Sequence, residues 1–159
     1  MKSKSGARVA LLLLALVLLG GGLWLARRGP NLSPATQKLF QGLKDKDMTT
    51  ISTALAQGAD VHARDEFGYT PLMRAVMEGV PAATSVLIDK GADINARTSA
   101  NETALIIAIK FRQVEAINVL LDHKAATNVQ DIEGQTALTW ARRYHLSQVA
   151  ARLEANSSQ

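Results

Sequence analysis

The side chains able to do chemistry are few. The chain has no cysteine and three histidines, His62, His123 and His145. Without thiols there is no disulfide framework, no thiolate metal site and no cysteine nucleophile. A metal site needs its ligands to converge on one ion. The three histidines fall at different points of the chain's internal repeat: a hairpin, the end of a second helix and the end of a first helix. They are not expected to meet, and no metal is expected. Asp65 and Asp131 could form a carboxylate pair for acid–base work. They align with one another at the start of a turn, where an aspartate accepts hydrogen bonds from backbone amides. That structural role is the expected one. No G-x-S-x-G elbow and no G-x-x-x-x-G-K phosphate loop occurs. The one glycine run, Gly20–Gly22, lies in a hydrophobic segment. Asn31-Leu-Ser, Asn101-Glu-Thr and Asn156-Ser-Ser match a glycosylation pattern, but a linker, a turn and a tail explain them more simply. No catalytic residue and no cofactor follows, and the chain is not expected to be an enzyme.

The formal charge of +4 is unevenly spread. Residues 1–30 carry Lys2, Lys4, Arg8, Arg27 and Arg28 and no acid, which makes +5; the remaining 13 basic and 14 acidic residues make −1. Beyond the N-terminal segment there is no electrostatic footprint for nucleic acid. Val9–Ala26 is an unbroken run of 18 apolar or glycine residues. As a helix it just spans a hydrocarbon core about 30 Å thick. Arg27 and Arg28 form a stop-transfer flank, and Trp24 sits where an interfacial aromatic belongs. The competing reading is a cleaved signal peptide with its apolar core at Val9–Leu19 and its small residues at Gly20 and Gly22. No A-x-A pattern is present and the apolar run resumes at Leu23, which favours an uncleaved anchor; both readings stand. The basic flanks favour an N-terminus in the cytoplasm and a folded domain outside it, periplasmic if the source is bacterial. After cleavage the domain is secreted or periplasmic. Residues 1–28 are thus read as anchor or signal. Residues 29–34, rich in glycine and proline, read as a linker, and 35–159 as the folded domain.

The elements that position every other side chain come from one stretch. Asp65–Arg97 is 33 residues long, and its pieces return with that period. Thr70, Leu72 and Ala75 recur as Thr103, Leu105 and Ala108, then as Thr136, Leu138 and Ala141. Gly91-Ala92-Asp93 echoes Gly58-Ala59-Asp60 and returns, degraded, as Lys124-Ala125-Ala126. Such a period means stacked repeats, with units at about 35–64, 65–97, 98–130 and 131–156. Ser33 with Pro34, Asp47, and Thr70 with Pro71 read as helix starts. Gly68 supplies a positive φ in a tight turn. Asn101 stands at the position of Gly68, Arg112 at that of Gly79 and Lys124 at that of Gly91. Short helices are marginal alone, so stacking must stabilise them. Glu154 ends the last apolar run with a charge because nothing stacks beyond it.

With Thr70-Pro71-Leu72-Met73 opening one helix and Leu87-Ile88 closing the next, the unit resembles an ankyrin repeat. The resemblance implies an all-α fold, an ankyrin-type α-solenoid of about four helix-turn-helix repeats, preceded here by one N-terminal hydrophobic helix. One departure is visible. The family usually has histidine after the leucine of its T-P-L motif, and here the position holds Met73, Ile106 and Thr139. Apolar packing is expected to replace the polar network such a histidine makes.

The resemblance also implies where a partner protein lies: against the hairpin tips and the exposed positions of the first helices. By position these are Arg64, Glu66, Phe67, Tyr69, Met77 and Glu78 in the second unit. In the third they are Arg97, Ser99, Ala100, Glu102, Lys110 and Phe111. In the fourth they are Gln130, Ile132, Glu133, Gln135, Arg143 and Tyr144. Four of the chain's five phenylalanines and tyrosines fall in this set. The scaffold demands no aromatic there, and aromatics beside arginine are common binding anchors. The expected function is a protein–protein interaction module held at or exported across a membrane. Alternatives are an immunity protein inhibiting a toxic enzyme, an accessory factor of a periplasmic defence enzyme, or a membrane-assembly factor acting through Val9–Ala26. The span has no charged residue, which argues against the last.

Overall fold

The computed structural model describes residues 31–157. The hydrophobic helix expected over Val9–Ala26 lies outside them. Among the described residues there are eight α-helices, no strand, and no helix long and apolar enough to cross a membrane. The helices come in antiparallel pairs: α1 (Pro34–Asp45) with α2 (Met48–Ala56), α3 (Pro71–Glu78) with α4 (Pro81–Asp89), α5 (Ala104–Lys110) with α6 (Val114–Asp122), and α7 (Ala137–Arg143) with α8 (Ser147–Ser157). The first helices stack in order, α1 on α3 on α5 on α7, and the second helices α2, α4 and α6 stack behind them.

Five of the eight described helices begin at a side-chain cap. Ser33 accepts from the Thr36 amide at 3.2 Å, with Pro34 in the first turn. Asp47 accepts from the Thr49 amide at 2.9 Å. Thr70, Thr103 and Thr136 accept from the amides of Met73, Ile106 and Thr139 at 3.3, 3.5 and 3.3 Å. These side chains satisfy donors that the helix itself leaves open. Helices of seven to twelve residues stay formed because their apolar faces are shared. Leu39, Leu72 and Leu105 are fully buried along the first-helix row, and Leu87, Leu120 and Leu153 along the second. Leu138 is only half-buried.

The turns repeat as strictly as the core. Among the described residues ten have positive φ, and all fall in three registers of the 33-residue period. One is Lys46, Gly79, Arg112 and His145; the second is Gly58, Gly91 and Lys124; the third is Gly68, Asn101 and Gly134. The fold demands a left-handed residue at each, and half of them are not glycine, so Arg112 (φ 56°) and Lys124 (φ 59°) are held there against their preference. At Gly79 a side chain would also strike the Gln113 amide, 2.7 Å from where its Cβ would lie.

The position after the T-x-L leucine behaves in two ways. Met73 and Ile106 are buried, so packing there is apolar, as expected. Thr139 is exposed and accepts a hydrogen bond from the Thr136 amide at 2.7 Å, a bond the Met73 sulfur also accepts, at 3.5 Å, from the Thr70 amide. Apolar packing therefore does not replace the histidine in the last unit, where Thr139 is exposed.

Candidate functional site

A turn precedes each of α3, α5 and α7 and is tied by the side chain that opens it. Asp65 Oδ1 accepts from the amides of Phe67 and Tyr69 at 2.9 and 3.0 Å. Asp131 Oδ1 accepts from those of Glu133 and Gln135, both at 2.9 Å. In the third unit the Thr98 hydroxyl takes the same two bonds, from Ala100 and Glu102, at 3.2 Å each. Neighbouring turns are joined where the Ile132 amide donates to the Ala100 carbonyl at 3.1 Å. Asn101 Nδ2 also donates to the Gln130 carbonyl.

A carboxylate has a second oxygen to offer, and a threonine does not. Asp65 Oδ2 accepts from Arg74 Nε, and Asp131 Oδ2 accepts from the Trp140 indole nitrogen at 2.7 Å. Arg74 and Trp140 each lie nine residues after their aspartate, and the residue nine after Thr98 is Ile107, which is buried and apolar. Neither Arg74 nor Trp140 is among the residues expected from position. The signal lay in the sequence as a pairing: aspartate with a donor twice, threonine with an apolar residue once.

In the second unit the Arg74 guanidinium lies over two rings, 5.3 Å from the Phe67 centroid and 5.0 Å from that of Tyr69. Phe67 is 66% exposed, while Tyr69 is half-buried against the core. Met77 and Glu78 are half-buried; Arg64 and Glu66 are exposed, and Arg64 donates to the Gly68 carbonyl at 2.6 Å.

The third and fourth units share one cluster. Trp140 and Tyr144 stack with centroids 5.6 Å apart and planes at 17°. Lys110 Nζ is 4.6 Å from the Trp140 ring and Arg143 is 5.0 Å from it; Arg112 is 5.6 Å from the Tyr144 ring. Glu102 binds Lys110 at 2.6 Å, and Glu133 lies 3.9 Å from Arg143. Phe111, next to Lys110 in the chain, is 50% exposed. Arg97 is exposed and donates to the Asn101 side chain at 3.2 Å; Gln135 is half-buried and bonds the Glu133 carbonyl at 3.2 Å.

Two ionisations are tuned within this cluster. Burial opposes the charge on Asp131, but the Gln135 amide, the Trp140 indole, the Glu133 amide and the Lys110 charge together hold its carboxyl below the usual aspartate value. The Glu102 carboxylate holds Lys110 above the usual lysine value, against partial burial. Among the described residues no three histidine, aspartate or glutamate side chains gather in a way that could hold a metal.

The family model for ankyrin repeats (3 copies) matches residues 39–131 and again 93–156. The chain belongs to the ankyrin-repeat family. No curated protein matches it. Its ankyrin repeats mark it as a protein–protein interaction module. The structure brings Lys110, Arg143 and Tyr144 to one cluster about Trp140, leaves Phe111 exposed at the end of α5, and gathers Phe67 and Tyr69 about Arg74.

Proposed function

We propose that the chain is a non-catalytic interaction module held at a membrane by Val9–Ala26, its repeats outside the cytoplasm, that binds a partner protein through its turns and inner-helix ends. One observation carries the binding surface: Phe67 and Phe111 stand 66% and 50% exposed at positions where the scaffold needs no aromatic. Exposed aromatic rings beside arginine suit burial in a partner's surface. The unbroken apolar run and its basic flanks support the tether.

Crosslinking and affinity capture of the full chain from its own cells tests the binding. A single protein recovered in proportion to the chain is the expected result; recovery of none counts against the reading. Fractionation with protease shaving tests the placement. Repeats in the membrane fraction and digested from the outer side agree with it, and repeats protected on the cytoplasmic side contradict it.

A further inference from the structure

We propose that the face made by the ends of α5 and α7 receives an acidic segment of the partner, a carboxylate for Arg112 next to an apolar side chain. This rests on the partner-binding reading and names that partner's chemistry. Lys110, Arg112 and Arg143 surround the Trp140–Tyr144 stack. A cation over a ring face keeps its charge. Glu102 and Asp131 answer Lys110 and Glu133 answers Arg143, so the one cation of the cluster without a carboxylate partner among the described residues is Arg112. Its planar fork fits a carboxylate in two-point contact.

Arg112 occupies a left-handed position, φ 56°, in the register shared by Lys46, Gly79 and His145, and its side chain sets a long cation over the Tyr144 ring. Phe111, half exposed and next to Arg112 in the chain, offers an apolar contact. In the second unit Arg74 is bound by Asp65, and Glu66 and Glu78 form no ion pair among the described residues. An acidic segment is therefore drawn to the third and fourth units. A nucleic acid suits the face less well, because Trp140 is 5% exposed and both it and Tyr144 are already covered by the chain's own cations.

The test uses the full chain with Trp24→Phe, which leaves Trp140 as the sole tryptophan. A labelled polyglutamate peptide with a central leucine is titrated against it, beside a polylysine counterpart and an oligothymidylate of matching charge. Binding is read by anisotropy and by Trp140 emission. The glutamate peptide should bind best, shift Trp140 emission, weaken with salt, and lose roughly tenfold in affinity in Arg112→Gly. Glycine suits that backbone, so the variant keeps its fold. Equal affinity in Arg112→Gly, preference for the lysine peptide or the oligothymidylate, or no binding overturns the proposal. A partner captured equally by wild type and Arg112→Gly also overturns it, yet leaves the interaction reading standing.

Discussion

The Trp140 indole donates to Asp131 Oδ2 at 2.7 Å, across the same nine-residue step that joins Arg74 to Asp65. One carboxylate thus ties its turn with one oxygen and fixes an inner-helix side chain with the other. Removing it leaves two amides and a buried indole without an acceptor. Asp131→Ala should cost about 2–3 kcal/mol by urea denaturation, in line with hydrogen bonds to a charged group. Asp131→Ala with the wild-type midpoint would show that the pair does not matter to stability.

The same aspartate makes a pH prediction. Its carboxyl titrates below the usual value in the folded chain, so its contribution is complete above the unfolded aspartate value of about 3.9 and is lost as pH falls through the lowered folded value. Stability should therefore drop on acidification below about pH 4, and Asp131→Asn should make that drop shallower. Thermal melts from neutral pH down to acid, on both proteins, measure it; parallel curves would contradict the assignment.

Lys124→Gly should stabilise the chain. Lys124 is exposed, has φ 59°, and stands where Gly58 and Gly91 stand in the earlier units. Relief of left-handed strain, less the extra entropy of glycine, should amount to about 0.5–1 kcal/mol. A lowered melting temperature would mean the lysine side chain contributes a contact of its own.

Leu105→Ala should cost about 2–5 kcal/mol, because the side chain is fully buried between the second and fourth units' first helices. An unchanged denaturation midpoint would remove Leu105 from the core.

Much of this was legible in the sequence. The threonine caps, the leucine rows and the left-handed turns follow from one period, since every unit must present the same faces to its neighbours. Asn101, Arg112 and Lys124 were visible as substitutes for glycine for the same reason. Arg74 and Trp140 were missed because period and composition weigh them as ordinary variable positions. Their importance comes from a second carboxylate oxygen across a turn. Ring orientation was equally hidden: Tyr144 is exposed or stacked depending on whether its neighbour four residues back is aromatic, and here that neighbour is Trp140.

That distinction separates two tyrosine and phenylalanine roles. Phe111→Ala should change stability by less than about 0.5 kcal/mol yet weaken partner capture, since the ring is half exposed. Tyr144→Ala should cost about 0.5–1.5 kcal/mol through loss of the Trp140 stack. Equal and large losses of stability in both would mean that Phe111 serves the scaffold as well.

The most direct measurement places a photo-crosslinking side chain, one position at a time, in the full chain in its own cells. Phe67 and Phe111 mark the proposed surface; Ala82 and Glu115 are exposed on the outer helices α4 and α6. The account predicts the same protein adduct from positions 67 and 111 and none from 82 and 115. Adducts from the outer helices, with none from Phe67 and Phe111, would contradict it.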